Sequence, residues 1–333
     1  MTKEEWLAVR KQLPDGPQGY WTVGLWLLDM SILGGAWLLW TRGSLLARVC
    51  AVVLAELSVI QIYLILHEAI HRSVCRNRFI NEAVGHASGW LIALPFLPRR
   101  RNHLGHHAWT AHPKRDPENK GMIEKFSVMT EQQARTLEFL WRHWIPIIAI
   151  NHFVNHWLCV LRPPAGDAAR KTSKQEARFA VLYLAGYGLL AYCAAHAGVF
   201  AEFAAFVAIL LVLLWLAVEL LNLPHHAEIP LLANDAQRPP LWEQDIVSHS
   251  CRSVPIWSKY IILSFNLHIA HHAFPWIAWY QLPRTQRILD AKNLDPAAKQ
   301  MDEWEFSLTN RRRPLLQLMG HFFDKRAPSR PQV

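Results

Sequence analysis

Four apolar runs, each close to the length of a bilayer crossing, restrict this chain more than any other feature. They cover residues 20–40, 44–66, 179–198 and 199–221, and about 20 apolar residues suffice for a helix to cross a membrane. Hydrocarbon offers the backbone no hydrogen-bond partners, so each run is expected to be a helix. Composition agrees: 52% of residues are hydrophobic, 16 are Trp, and only 18% are charged, below the roughly 25% of a soluble protein. The expected fold is all-α and integral to the membrane. It comprises four transmembrane helices in two hairpins (20–66 and 179–221), with interfacial helices and a cytoplasmic cap.

Asp29, Arg48, Glu56, Glu202 and Glu219 interrupt the runs and are expected near an interface or facing other helices, because charge is costly at the bilayer centre. Of 35 Lys and Arg, 17 fall between His67 and Arg178, 13 after Asn222 and 3 in the first eleven residues, whereas the first hairpin holds only Arg42 and Arg48. The positive-inside rule then makes both hairpins enter from the cytoplasm and return to it. The net charge of +9 suits anionic lipid headgroups or an acidic protein partner. No nucleic-acid-binding motif accompanies it, so nucleic acid is not an expected partner. Cys50, Cys75, Cys159, Cys193 and Cys251 form no CxxC pair and read as reduced packing residues. Residues 1–19 lack a charged segment running directly into an apolar core with a cleavage site, so the first run is expected to stay as an anchor.

Between the hairpins, residues 79–98 and 139–161 are apolar but carry polar interruptions, which predicts an interfacial or re-entrant helix over the first and an interfacial helix over the second. Residues 1–19 read as a short polar lead-in closed by Pro14, Gly16 and Pro17; 113–118 reads as a turn, and 162–174 as a loop into the second hairpin. Arg99-Arg100-Arg101 marks the headgroup level or a solvated basic turn. With no repeat of fixed period, residues 1–333 read as one domain, its segments 67–178 and 222–333 lying outside the hairpins.

Those two segments hold three histidine clusters: His67-Glu68-Ala69-Ile70-His71, His103-Leu104-Gly105-His106-His107 and His268-Ile269-Ala270-His271-His272. Side chains three and four apart share a helix face, so each cluster presents its imidazoles together. A tetrahedral ion takes four ligands at most, and eight imidazoles therefore point to a di-metal site of an imidazole-loving metal. A ninth ligand lies in Asn222-Leu223-Pro224-His225-His226. If the helix continues, His226 ligates and Asn222 holds a metal-bound water; if Pro224 breaks it, His225 turns inward instead. The spacing favours His226. His86, His112, His143, His152, His156, His196, His249 and His321 lack the cluster spacing and read as packed, capping or surface residues.

The order HxxxH, HxxHH, HxxHH with a further histidine after the last run resembles the integral-membrane fatty acid desaturase family, whose relatives include hydroxylases, ketolases and alkene-forming decarboxylases. Asn266 to Pro275 followed by Leu282-Pro283 carries the resemblance most specifically, as does Asp116-Pro117-Glu118 after the second cluster. The resemblance implies two iron ions, with molecular oxygen as co-substrate, attacking an unactivated C–H bond of a membrane lipid or acyl substrate. It implies the ligands His67, His71, His103, His106, His107, His268, His271 and His272, with His226 added, and Asp116 supporting a ligand imidazole. A redox metal also fits the chemistry, since an alkyl C–H bond offers no acidic proton.

Oxygen chemistry needs electrons, and no haem or flavin motif is evident. An external ferredoxin, rubredoxin or cytochrome b5-like donor with its reductase is therefore expected to dock on the basic face, Arg99 to Arg101 being the candidate contact. The main expectation is fatty acid desaturation; decarboxylation, hydroxylation or ketolation would use the same ligands. A membrane metal transporter is the rival of another class, although transport sites tend to lie near the bilayer midplane and these clusters fall at or beyond the helix ends.

Overall fold

Long helices dominate, because the apolar runs leave the backbone no partner but itself. The fold, a computed structural model, describes residues 1–161, 167–294 and 299–319. Helix α1 (Lys3–Arg10) opens where Thr2 and Glu5 exchange side-chain hydrogen bonds with each other's backbone, a reciprocal cap. Its place in the polar lead-in was not expected. Helices α2 (Trp21–Arg42) and α3 (Leu45–Ile70) follow. The Gly43-Ser44 turn between them is tight, since a Cβ on Gly43 would collide with Ala47 and with the Leu39 carbonyl. Ser44 then caps α3 by accepting from the Ala47 N–H.

Residues 79–98 form no single interfacial helix. They split between α4 (Arg78–Leu91) and α5 (Phe96–Trp109), with Ala93 in the left-handed region at φ 56°. Next come α6 (Pro117–Ser127), α7 (Glu131–Arg142) and α8 (Ile147–Leu161). The expected helix over 139–161 is likewise broken, α7 and α8 meeting at 112°. Of the loop expected over 162–174, residues 162–166 lie outside the described residues, and the rest is already helical in α9 (Asp167–His196). Helix α10 (Phe200–His226) completes the long set. Among the described residues, four helices are long and apolar enough to cross a membrane: α2, α3, α10 and residues Thr172–His196 of α9.

The remaining chain is a compact run of short pieces: a 3-10 turn (Leu241–Ile246), α11 (Ile256–Lys259), α12 (His268–Ala273), α13 (Leu282–Ala291), α14 (Glu303–Arg312) and α15 (Leu315–Leu318). One departure from all-α is a parallel ladder pairing β1 (Cys251–Ser253) with β2 (Lys299–Asp302). The short pieces pack where α3 and α10 end. At the other end of the helices, Trp40 Nε1 donates to the Glu202 carbonyl at 3.1 Å and Trp37 packs on Phe203 and Phe206. The α2–α3 turn therefore lies beside the start of α10, and α3 and α10 run the same way. Helix α1 also joins the short pieces: Trp6 stacks on Phe274, 5.6 Å between centroids, and donates to the Ala273 carbonyl.

Helix α10 runs through Pro224 to His226, although an interior proline frees the carbonyl four residues back. That carbonyl, of Leu220, accepts a 2.5 Å hydrogen bond from the Ser307 hydroxyl of α14. One helix thus compensates for the other's missing donor. Near it, Arg311 of α14 lies 3.1 Å from Glu219 of α10, donates to the Trp141 and Ile145 carbonyls and covers the Trp141 ring. Ser307→Ala leaves a buried acceptor without its donor and is expected to cost about 1–3 kcal/mol. Ser307→Thr should retain most of that, and thermal unfolding midpoints in detergent micelles check the ranking.

Candidate metal centre

Imidazoles from four helices converge where α3 and α10 end. His67 sits in the last turn of α3 and His71 caps it, α5 brings His103, His106 and His107, α10 brings His226, and α12 brings His268, His271 and His272. Two groups form. One ligand nitrogen from each of His67, His71, His103, His107 and His271 lies within 4.8 Å of every other in that set, and the same holds for His106, His226 and His272. His268 joins the second group, its Nε2 lying 3.1 Å from those of both His226 and His272.

Helix geometry explains the division. In α5 the i,i+4 pair His103 and His107 faces the first group and His106 the second; in α12 the pair His268 and His272 faces the second and His271 the first. Each HxxHH thus reaches both groups.

These contacts fit a shared cation better than hydrogen bonds. His103 Nε2 lies 2.9 Å from His71 Nε2 and 3.0 Å from His107 Nε2, which is itself 3.3 Å from His271 Nε2. A neutral imidazole nitrogen carries one proton or one lone pair and cannot serve two such neighbours well. Nitrogens sharing an ion at about 2.0–2.1 Å stand roughly 3 Å apart, so one ion would satisfy the whole set. His67 Nε2 and His106 Nε2 are also buried without a hydrogen-bond partner. Nine imidazoles could therefore hold two ions.

Burial also keeps most of the rings neutral, the form that ligates. It drives His71, His107, His268, His271 and His272 well below the ordinary histidine value, each helped by its imidazole neighbours, and His103 down to about 3. His106 departs from this pattern. Burial would lower it too, but Asp116 and Glu118 outweigh that and raise it to about 9.

Asp116 is fully buried, and both its oxygens lie 3.1 Å from His106 Nδ1. The same carboxylate caps α6 by accepting from the Glu118 N–H, with Pro117 at the first helical position, and also accepts from the Ala111 N–H and the Asn119 side chain. His225 turns away from the groups: its Nδ1 donates to the His249 carbonyl and its Nε2 lies 3.4 Å from Glu303. Asn222 sits one turn before His226, donates to the Val218 carbonyl and lines a cavity that His106 and His226 also line.

The sequence profile of the fatty acid desaturase family matches residues 43–303. The chain belongs to the fatty acid desaturase family. It is also similar to the sn-1 oleoyl-lipid 12-desaturase of Arthrospira platensis, 26% identical over 237 residues, which are 66% of this chain and 62% of that relative. The match thus spans less than two thirds of the relative's length.

In this desaturase-family chain the structure adds residues that spacing did not signal. Gln244 accepts from His272 Nδ1 at 3.1 Å, and Ser250 Oγ accepts from the Ile269 N–H while Asn266 bonds the Cys251 carbonyl, which pins α12 against β1. Glu118 lies 3.9 Å from His103 and 3.8 Å from His106. His152 and His156, read as packing residues, line the cavity beside His106 and His226.

The basic triplet is not a free surface. Arg99 is buried against Glu118, Arg100 pairs with Glu82, and Arg101 pairs with buried Glu176. Acids distant in sequence neutralise it, which its own composition could not reveal. His86, His112, His143, His196 and His249 lie outside both groups, and His321 lies outside the described residues. None of the five cysteines forms a disulfide.

Asp116→Asn keeps a polar group at His106 but removes the charge that makes its ring basic. Metal retention against a chelator is expected to fall about 10–100-fold, read as metal content of the purified protein after dialysis.

Proposed function

We propose that this desaturase-family oxidoreductase is an oxygen-dependent di-iron enzyme that desaturates a fatty acyl chain, presented free, as an acyl lipid or as an acyl thioester. The observation that carries the reading is the convergence of nine imidazoles in two buried groups at one end of four membrane-length helices. Two irons held there would supply, with molecular oxygen, an oxidant able to break an alkyl C–H bond. Desaturation removes two hydrogen atoms from neighbouring carbons; dioxygen, two electrons and two protons carry them away as two waters.

The chain's own residues prepare that chemistry. In this reading His67, His71, His103, His107 and His271 hold one ion, and His106, His226, His268 and His272 the other, with Asn222 placed to hold a metal-bound water. Asp116 keeps the His106 Nδ1–H in place so that Nε2 faces the ion, and Gln244 does the same for His272. Burial of the imidazoles excludes bulk water from the reacting groups.

In this reading the four long helices form two membrane hairpins in a single domain, with the metal end and the short pieces on the cytoplasmic side, which the distribution of Lys and Arg supports. A ferredoxin, rubredoxin or cytochrome b5-like donor, reduced by its own reductase, supplies electrons from that side. Arg99 to Arg101 are spent on ion pairs, and the exposed Arg72 and Arg78 just beyond His71 offer the contact instead.

Purified protein is expected to hold two irons. A host supplied with a reductase should accumulate acyl chains with a new double bond, located by mass spectrometry. His106→Ala should remain in the membrane and lose the product. Turnover retained in that variant would remove His106 from the ligand set, and a product with a new oxygen or a lost carboxyl would replace desaturation with hydroxylation or decarboxylation. Reversing Arg72 and Arg78 together to Glu should slow reduction several-fold at low salt and little at high salt, measured by stopped-flow reduction of the metal centre.

A further inference from the structure

Beside the second imidazole group lies a cavity of about 150 Å³ between α5, α6, α8 and α10, with His106 and His226 in its wall. It is the size of an engineered apolar cavity of roughly 150 Å³ that holds benzene, so it takes a head of several heavy atoms. Its walls are mixed: Pro117, Met122, Ile148 and Leu223 belong to an apolar part, and the other part is polar. Asn102, Asn151, His152, Asn155 and His156 line it, and the Nε2 atoms of His152 and His156 are buried there without a hydrogen-bond partner. Bare hydrocarbon would leave those atoms unsatisfied.

The tautomer of His156 narrows the choice. Its Nδ1 lies 2.7 Å from the His152 carbonyl and must donate to it, so in the neutral ring Nε2 is an acceptor. It needs a donor from the ligand. An ionised carboxylate only accepts hydrogen bonds and would leave that nitrogen unsatisfied.

We propose that this cavity receives a neutral, hydrogen-bond-donating group of the substrate, a hydroxyl or an amide N–H, so that the oxidised carbon lies within a few bonds of that group rather than in mid-chain. This rests on the reading of the neighbouring imidazoles as an oxidising metal centre, because the polar group and the metal ligands share one wall.

Equilibrium binding of radiolabelled decanol, decanamide, decanoate and decane to the metal-loaded protein, corrected for partition into the same micelles, tests it. Decanol or decanamide is expected to bind at least ten-fold tighter than decanoate and decane, and the two donors' relative affinities tell hydroxyl from amide. His156→Leu and, as a second variant, Asn155→Leu should abolish that preference with metal content unchanged, and His156→Gln, which restores an acceptor, should recover it. Equal affinity for all four probes, as for a cavity holding water alone, or an unchanged preference in both Leu variants, overturns the proposal. Discrimination without any oxidised product would leave this binding site standing and sink the oxidase reading; mid-chain oxidation unaffected by the Leu variants would do the reverse.

Discussion

Everything at the metal end depends on bringing nine imidazoles into one buried space with little opposite charge to hold them there. Neutral rings at 2.9–3.3 Å satisfy one another poorly as hydrogen-bond partners, so the protein must position them by its backbone. The long helices do this by ending at one level. Helix α3 stops at His71 and α10 at His226, while the short helices α5 and α12 lie across those ends. The HxxHH pattern then does what a simple HxxxH cannot: its i,i+4 pair serves one group and its i+3 member the other. Using the pattern twice, with the groups exchanged between α5 and α12, couples the two groups through rigid backbone.

Several supports serve two purposes, which ties local folding to the site. Asp116 closes the first turn of α6 and fixes His106 with the same two oxygens. Ser307 repairs the gap that Pro224 opens in α10, and the repaired helix carries His226. Trp6 of α1 holds the end of α12 through its indole N–H. Loss of one such group would loosen both an element and a ring that it aims, whereas a surface cap would affect only its own helix.

The long helices and eight clustered histidines were legible because both signals are local: twenty apolar residues suffice for one, and spacing of three and four for the other. His226 was legible only conditionally. Whether α10 survives Pro224 depends on Ser307, 83 positions later, and no local pattern contains that information. Arg99 to Arg101 misled for the same reason, their carboxylate partners lying 18 to 75 residues away. Gln244 sits in an undistinguished polar stretch, and α1 hid in a segment whose apolar residues, Trp6 and Val9, show their purpose only against Phe274 and its neighbours. His152 and His156 looked like packing residues because their importance comes from an empty space, which sequence does not encode.

The two imidazole groups are not electrostatic equals. Asp116 is held by neutral donors and faces His106, which rises to about 9. Glu118, between His103 and His106, is engaged by Arg99, and that arginine helps hold His71 and His103 low. An ion beside His106 would therefore meet a more basic ligand than one among the five rings of the other group. The cavity opens on that same side. Asp116 therefore links the first turn of α6 both to His106 and, through that ring, to the wall of the cavity.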